Sequence, residues 1–92
     1  MTYQVELSRR AKKAFLALPK RDRKLIGRRL MALSHDPRPP GTKALVQGLK
    51  GHYRLRVGDY RIIYTVQDEV LRVCVIRIGP SHSVYDDLAT GP

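Results

Sequence analysis

Hydrophobic positions along the chain change their period twice. Tyr3, Val5 and Leu7 alternate with polar residues, the two-residue period of a strand with one buried face. Ser8 then offers a helix N-cap, and Ala11, Ala14, Phe15 and Leu18 follow at helical spacing until Pro19, which ends that helix. A second helix is predicted from about Arg21 to His35. It turns Leu25, Ile26, Leu30 and Leu33 inward and leaves Arg21, Lys24, Arg28 and Arg29 largely outward. Asp36-Pro37-Arg38-Pro39-Pro40-Gly41 must be a loop. Beyond it the period returns to two, with Tyr53, Leu55 and Val57 alternating against His52, Arg54 and Arg56. Gly58-Asp59 suits a type II′ hairpin turn, a strand from Tyr60 to Gln67 follows, and Asp68-Glu69 serves as turn chemistry. A third strand runs from Val70 to Ile78, and Gly79-Pro80 terminates it. The tail from Ser81 has room for about one helical turn around Val84 to Leu88. The fold class expected is α+β: one domain over residues 1–92 in the order β-α-α-β-β-β plus a short C-terminal helix. Its mainly antiparallel sheet is backed by an N-terminal helical hairpin.

Hairpin register sorts the side chains. With Gly58 and Asp59 in the loop, Val57 faces Tyr60, Arg56 faces Arg61, Leu55 faces Ile62 and Tyr53 faces Tyr64. One face then holds Tyr53, Leu55, Val57, Tyr60, Ile62 and Tyr64, continued by Val73 and Val75, and the helices should cover it. The opposite face carries His52, Arg54, Arg56, Arg61 and Thr65, with Arg72 opposite Thr65, and it reads as a basic stripe without a carboxylate. Arg56 directly across from Arg61 is destabilising unless an anion lies between them, and forked guanidinium donors suit a phosphodiester. Surface arginines can also splay into water, and basic residues on helices commonly form a solvated face.

Charge sharpens this picture. The chain carries 18 Lys+Arg against 8 Asp+Glu, a formal +10, and residues 1–61 hold 16 and 4 of these. Such an excess points first to nucleic acid, then to acidic protein, and last to an anionic membrane surface. The longest apolar run, Val73 to Ile76, is far short of a membrane span. The N-terminus has no basic n-region followed by an apolar h-region, so cytoplasm is the expected location. A single cysteine, Cys74, and three scattered histidines offer neither a disulfide nor a metal-ligand set. No glycine-rich phosphate loop is present, so no cofactor is expected.

Proton-transfer groups follow the third strand at Ser81, His82, Ser83 and Tyr85. Cutting RNA by attack of its own 2′-hydroxyl needs a base, cations on the pentavalent phosphate and an acid for the leaving 5′-oxygen. Tyr85 suits the base only where surrounding arginines lower its pKa from near 10, whereas His82 titrates near neutrality unaided. Either residue can equally be structural, Tyr85 as a packing residue and His82 as a bystander.

The run Tyr53-Arg54-Leu55-Arg56-Val57-Gly58-Asp59-Tyr60-Arg61-Ile62-Ile63-Tyr64, with Val73 to Gly79 and then Val84-Tyr85, resembles the RelE/ParE superfamily of toxin–antitoxin toxins, specifically its RelE branch. The likeness covers nearly the whole chain, including the helix pair and the Leu45-to-Gly48 approach to the hairpin. It implies an endoribonuclease that cuts translated mRNA in the A site of the 70S ribosome and is silenced by a cognate antitoxin protein. By that resemblance Arg54 and Arg56 stand where the family places basic residues for RNA binding and catalysis, Arg61 where an arginine stabilises the transition state, and Tyr85 where a tyrosine acts as base. Beyond those four matched positions, His82 is a further catalytic candidate, and Arg72, Lys50, His52 and Arg77 are further candidates for RNA contact. The family's loop arginine is replaced by Ser81 in Gly79-Pro80-Ser81-His82, and Gln47 stands where a basic residue is common. The ParE branch, which poisons DNA gyrase without chemistry, is the alternative, followed by a basic RNA-binding module of low activity.

Overall fold

The computed structural model describes residues 2–45 and 51–80. Strand β1 (Gln4–Leu7) leads into helix α1 (Arg9–Leu16) and helix α2 (Lys20–Leu33). Strands β2 (Thr42–Ala44), β3 (His52–Val57), β4 (Tyr60–Gln67) and β5 (Arg72–Pro80) follow. The sheet runs β1-β5-β4-β3-β2, with β1 parallel to β5 and every other pair antiparallel. This is the α+β arrangement expected, with one strand more. Three residues are too few to show a period, and β2 escapes sequence reading for that reason. The C-terminal helix expected around Val84–Leu88 lies outside the described residues, as do Tyr85, His82, Ser81, Lys50 and Gln47.

Helix α1 starts where Ser8 accepts a hydrogen bond from the Ala11 amide at 3.1 Å. It stops at Leu16, short of Pro19, which instead opens α2. Ala11, Ile26, Leu30 and Leu33 pack on Leu55, Val57, Ile62, Tyr64, Val73, Val75 and Ile78 of the sheet. Leu25, expected inward, is 42% exposed because it borders the hairpin tip rather than the sheet.

The β3–β4 register is the one expected, residue for residue from His52↔Thr65 to Val57↔Tyr60. Gly58 has φ +58, the left-handed conformation that the first position of a II′ turn requires. The next turn differs from expectation. A 3-10 turn over Asp68–Val70 and a left-handed Leu71 (φ 50) close it, so β5 starts at Arg72 and Arg72 stands opposite Gln67, not Thr65. Strand β5 continues through Gly79 and Pro80, paired with Arg61 and Tyr60, where a stop was expected.

Asp68 does more than turn the chain. Its carboxylate accepts Arg38 Nη2 at 2.8 Å, Arg38 Nη1 at 3.2 Å and the Tyr3 hydroxyl at 2.6 Å. Arg38 also donates Nε to the Tyr53 hydroxyl at 3.1 Å, which fastens the proline-rich loop over the sheet. Arg38 first, then Tyr3, hold the Asp68 carboxyl below its ordinary range. A carboxyl depressed in the folded state stabilises the fold above its unfolded value near 4 and loses that contribution as pH falls through the lower folded value. Urea midpoints of the parent and Asp68→Asn are therefore expected to differ at pH 7 and to converge as pH falls from about 4 downward. A gap that stays constant over that range would contradict this role.

Candidate nucleic-acid interface

The sheet face away from the helices collects the cations. In a two-residue hairpin the pair that closes the loop is hydrogen-bonded, so the next pair, Arg56↔Arg61, is a non-hydrogen-bonded one, with Cα atoms about 4.5 Å apart and side chains close. Arg56 is exposed and bonds back to the turn, Nε to the Gly58 carbonyl at 3.2 Å. Arg61 is half-buried with a buried Nε, and the strand beyond it offers Gly79, which has no side chain to crowd the guanidinium.

A second cationic row runs beside this pair. Lys43 stands opposite Arg54, Arg54 opposite Ile63, and Ile63 opposite Arg77. At about 4.8 Å per strand the row spans about 14 Å from Lys43 to Arg77. Ile63 is fully buried yet stands apart from the cluster under the helices, so it gives this polar face an apolar centre between Arg54 and Arg77.

Arg77 reaches this face through a bulge. Register shifts between Ile63 and Tyr64, which leaves Ile76 as the extra residue of β5. Without it Arg77 would share the core face with Val73 and Val75; with it Arg77 turns outward and Ile78 inward. Ser8 secures the bulge by donating its hydroxyl to the Ile76 carbonyl at 2.9 Å. The sequence carries a signal for this, since Arg77 and Ile78 fall out of phase with Val73 and Val75. Lys43 carries none, because its strand is too short to read.

Toward the other end of the same face the charge is balanced. His52, Thr65, Cys74 and Glu6 share one row, and Arg72 Nε lies 3.7 Å from a Glu6 carboxylate oxygen. The expectation of a face without a carboxylate is thus corrected: the parallel edge strand β1 adds Glu6. Basic residues concentrate on the rest of this face, at Arg54, Arg56, Arg61, Arg77 and Lys43.

Comparison with known proteins decides the family. The sequence profile for the ParE toxin of the type II toxin–antitoxin system parDE matches residues 5–85. The chain belongs to the ParE toxin family. This ParE-family toxin is 31% identical over 81 residues to a protein of Escherichia coli described as a RelE-like toxin, covering 86% of this chain and 83% of the other. It also resembles the toxin in the RelBE2 toxin–antitoxin complex of Mycobacterium tuberculosis, with TM-score 0.79, 27% identity, and 87% and 99% of the two chains covered. A doubly substituted E. coli RelE in the free state matches with TM-score 0.75 and 26% identity over 98% and 97% of the chains. The RelE/ParE superfamily read from the hairpin motif therefore stands. Among the toxin's described residues no helix is long and apolar enough to cross a membrane.

Proposed function

We propose that this toxin is a ribosome-dependent endoribonuclease that cuts translated mRNA in the A site, with residues 1–92 acting as one toxin domain in the cytoplasm. The observation that carries the reading is the Arg56–Arg61 pair beside the Lys43–Arg54–Arg77 row, two sets of basic side chains on one sheet face whose forked donors suit a phosphodiester. Tyr85 as base takes the proton of the 2′-hydroxyl, whose oxygen attacks phosphorus. Arg61 and Arg56 stabilise the added charge on the pentavalent phosphate. The 5′-oxygen leaves with a proton from His82, and a 2′,3′-cyclic phosphate remains on the upstream fragment. Arg54 and Arg77 hold the flanking backbone, and Lys50, His52 and Arg72 extend the contact along the strand. Ser81 in place of the family's loop arginine leaves more of the phosphate charge to Arg61.

RelE toxins similar to this chain have been seen in complex with an antitoxin. A cognate antitoxin that covers the same basic surface is the partner this reading assigns. The gyrase reading draws on the ParE profile and on Ser81. One experiment separates the two: protein added to a translating extract is expected to cut ribosome-bound message while DNA gyrase supercoiling proceeds unhindered. Intact message together with blocked supercoiling would replace the nuclease with the gyrase poison.

A further inference from the structure

A second concentration of charge lies away from the sheet face. Residues 9–33 hold 10 Lys+Arg and one acid, Asp22, so most of the chain's +10 sits on the helical hairpin. Some of these cations stand where local electrostatics oppose them: Lys20 and Arg21 occupy the first turn of α2, whose N-cap, Pro19, supplies no side-chain bond. Between α2 and the tip of the β3–β4 hairpin lies an open cleft of about 540 Å³. Lys24, Leu25 and Arg28 line it from the helix, and Gly58, Asp59 and Tyr60 from the tip. Asp22 is already engaged, accepting the Tyr60 hydroxyl at 2.7 Å with Arg21 Nε at 3.9 Å. Lys24 and Arg28 are exposed and form no ion pair among the described residues. The turn that borders this cleft is also the one Arg56 holds through the Gly58 carbonyl.

We infer that this cleft holds the single-stranded RNA flanking the clamped phosphate, with its backbone phosphates on Lys24 and Arg28. A strand that leaves the Arg56–Arg61 pair around the hairpin tip runs directly into it. Leu25, 42% exposed, and the Tyr60 ring supply an apolar floor for the sugar and base between those phosphates. This assignment rests on the RNA-clamp reading of the sheet face and extends it by a flanking subsite of opposite placement but the same chemistry.

The test measures binding of 2′-O-methyl oligoribonucleotides, which cannot be cut by their own 2′-oxygen, at about 4 and about 12 nucleotides. For Lys24→Gln/Arg28→Gln, the longer oligomer is expected to lose its affinity advantage over the shorter one. The slope of log affinity against log salt falls by about 1.4 for the longer oligomer only, two single-strand phosphate contacts at about 0.7 each. Both residues are exposed, and an unchanged thermal midpoint confirms an intact fold. If this variant binds both oligomers as the parent does, while Arg54→Gln/Arg56→Gln weakens both, the cleft assignment is wrong and the clamp survives. If Arg54→Gln/Arg56→Gln also binds both as the parent does, the clamp reading fails and the cleft assignment with it. Weakened binding of an acidic protein partner, with RNA affinity unchanged, would assign the cleft to protein and overturn the RNA proposal.

Discussion

Arg61→Ala is expected to slow message cleavage by about 10²–10³-fold, the usual effect of removing one preorganised donor from a developing anion. The size follows from its position. Arg61 is half-buried with its Nε inside the protein, so its aim is fixed in the ground state and little reorganisation is needed as the phosphate gains charge. Its cross-strand neighbour Arg56 is exposed and turned toward Gly58, and its removal should cost less. Arg61→Lys keeps the charge and loses the fork, so it should recover only part of the rate. Thermal midpoints measured alongside separate loss of cutting from loss of fold. Arg61 stands opposite another arginine, and removing it relieves a like-charge pair. Cleavage at the parent rate by a folded Arg61→Ala would remove this residue from the site.

Tyr64→Ala should produce the largest loss of stability, about 3–5 kcal/mol. Tyr64 is fully buried at the centre of the sheet, stacked on Tyr53 with ring centroids 5.8 Å apart. Its hydroxyl donates to the Pro37 carbonyl at 2.8 Å, and Thr42 Oγ1 lies 3.3 Å from the Tyr64 hydroxyl oxygen. One side chain thus joins the core to the proline-rich loop and to the edge strand that carries Lys43. Against a net stability of about 5–15 kcal/mol for a small domain, the alanine variant is expected to be unfolded in a substantial fraction of molecules or close to it. Tyr64→Phe keeps the ring and strands the Pro37 carbonyl, at a cost of about 1–3 kcal/mol. Burial pushes the Tyr64 phenol above its ordinary range. A group whose folded pKa is raised gives stability that is full below its unfolded value near 10 and fades as pH rises through the folded one. Urea titrations near pH 7 and above pH 10 measure both effects. An alanine variant within 1 kcal/mol of the parent would contradict the central place given to this tyrosine.

Hairpin and helices were legible in the sequence because each has a strong local period and a clear terminator. Ser8 capped the first helix as read, and Gly58-Asp59 fixed a register that put Arg56 against Arg61. What escaped was whatever the period does not encode. Arg77 is a candidate for RNA contact from the sequence, but the inserted residue, Ile76, that turns it onto the arginine-bearing face is not expected from it, and a two-residue repeat carried through Val73 and Val75 points it the other way. Glu6 joins that face only because β1 pairs parallel with β5 from the far end of the chain, a long-range choice with no local signature. Lys43 depends on a three-residue strand, and Asp68 on partners 30 and 65 residues away.

Mapping the ends of message recovered from a translating extract tests the central claim most directly. Ribosome-dependent cleavage by 2′-hydroxyl attack produces new 3′ ends that carry a 2′,3′-cyclic phosphate or its 3′-phosphate product, located within codons that occupied the A site, and present only when the toxin and translating ribosomes are both there. Message that stays intact at doses that stop translation would contradict it.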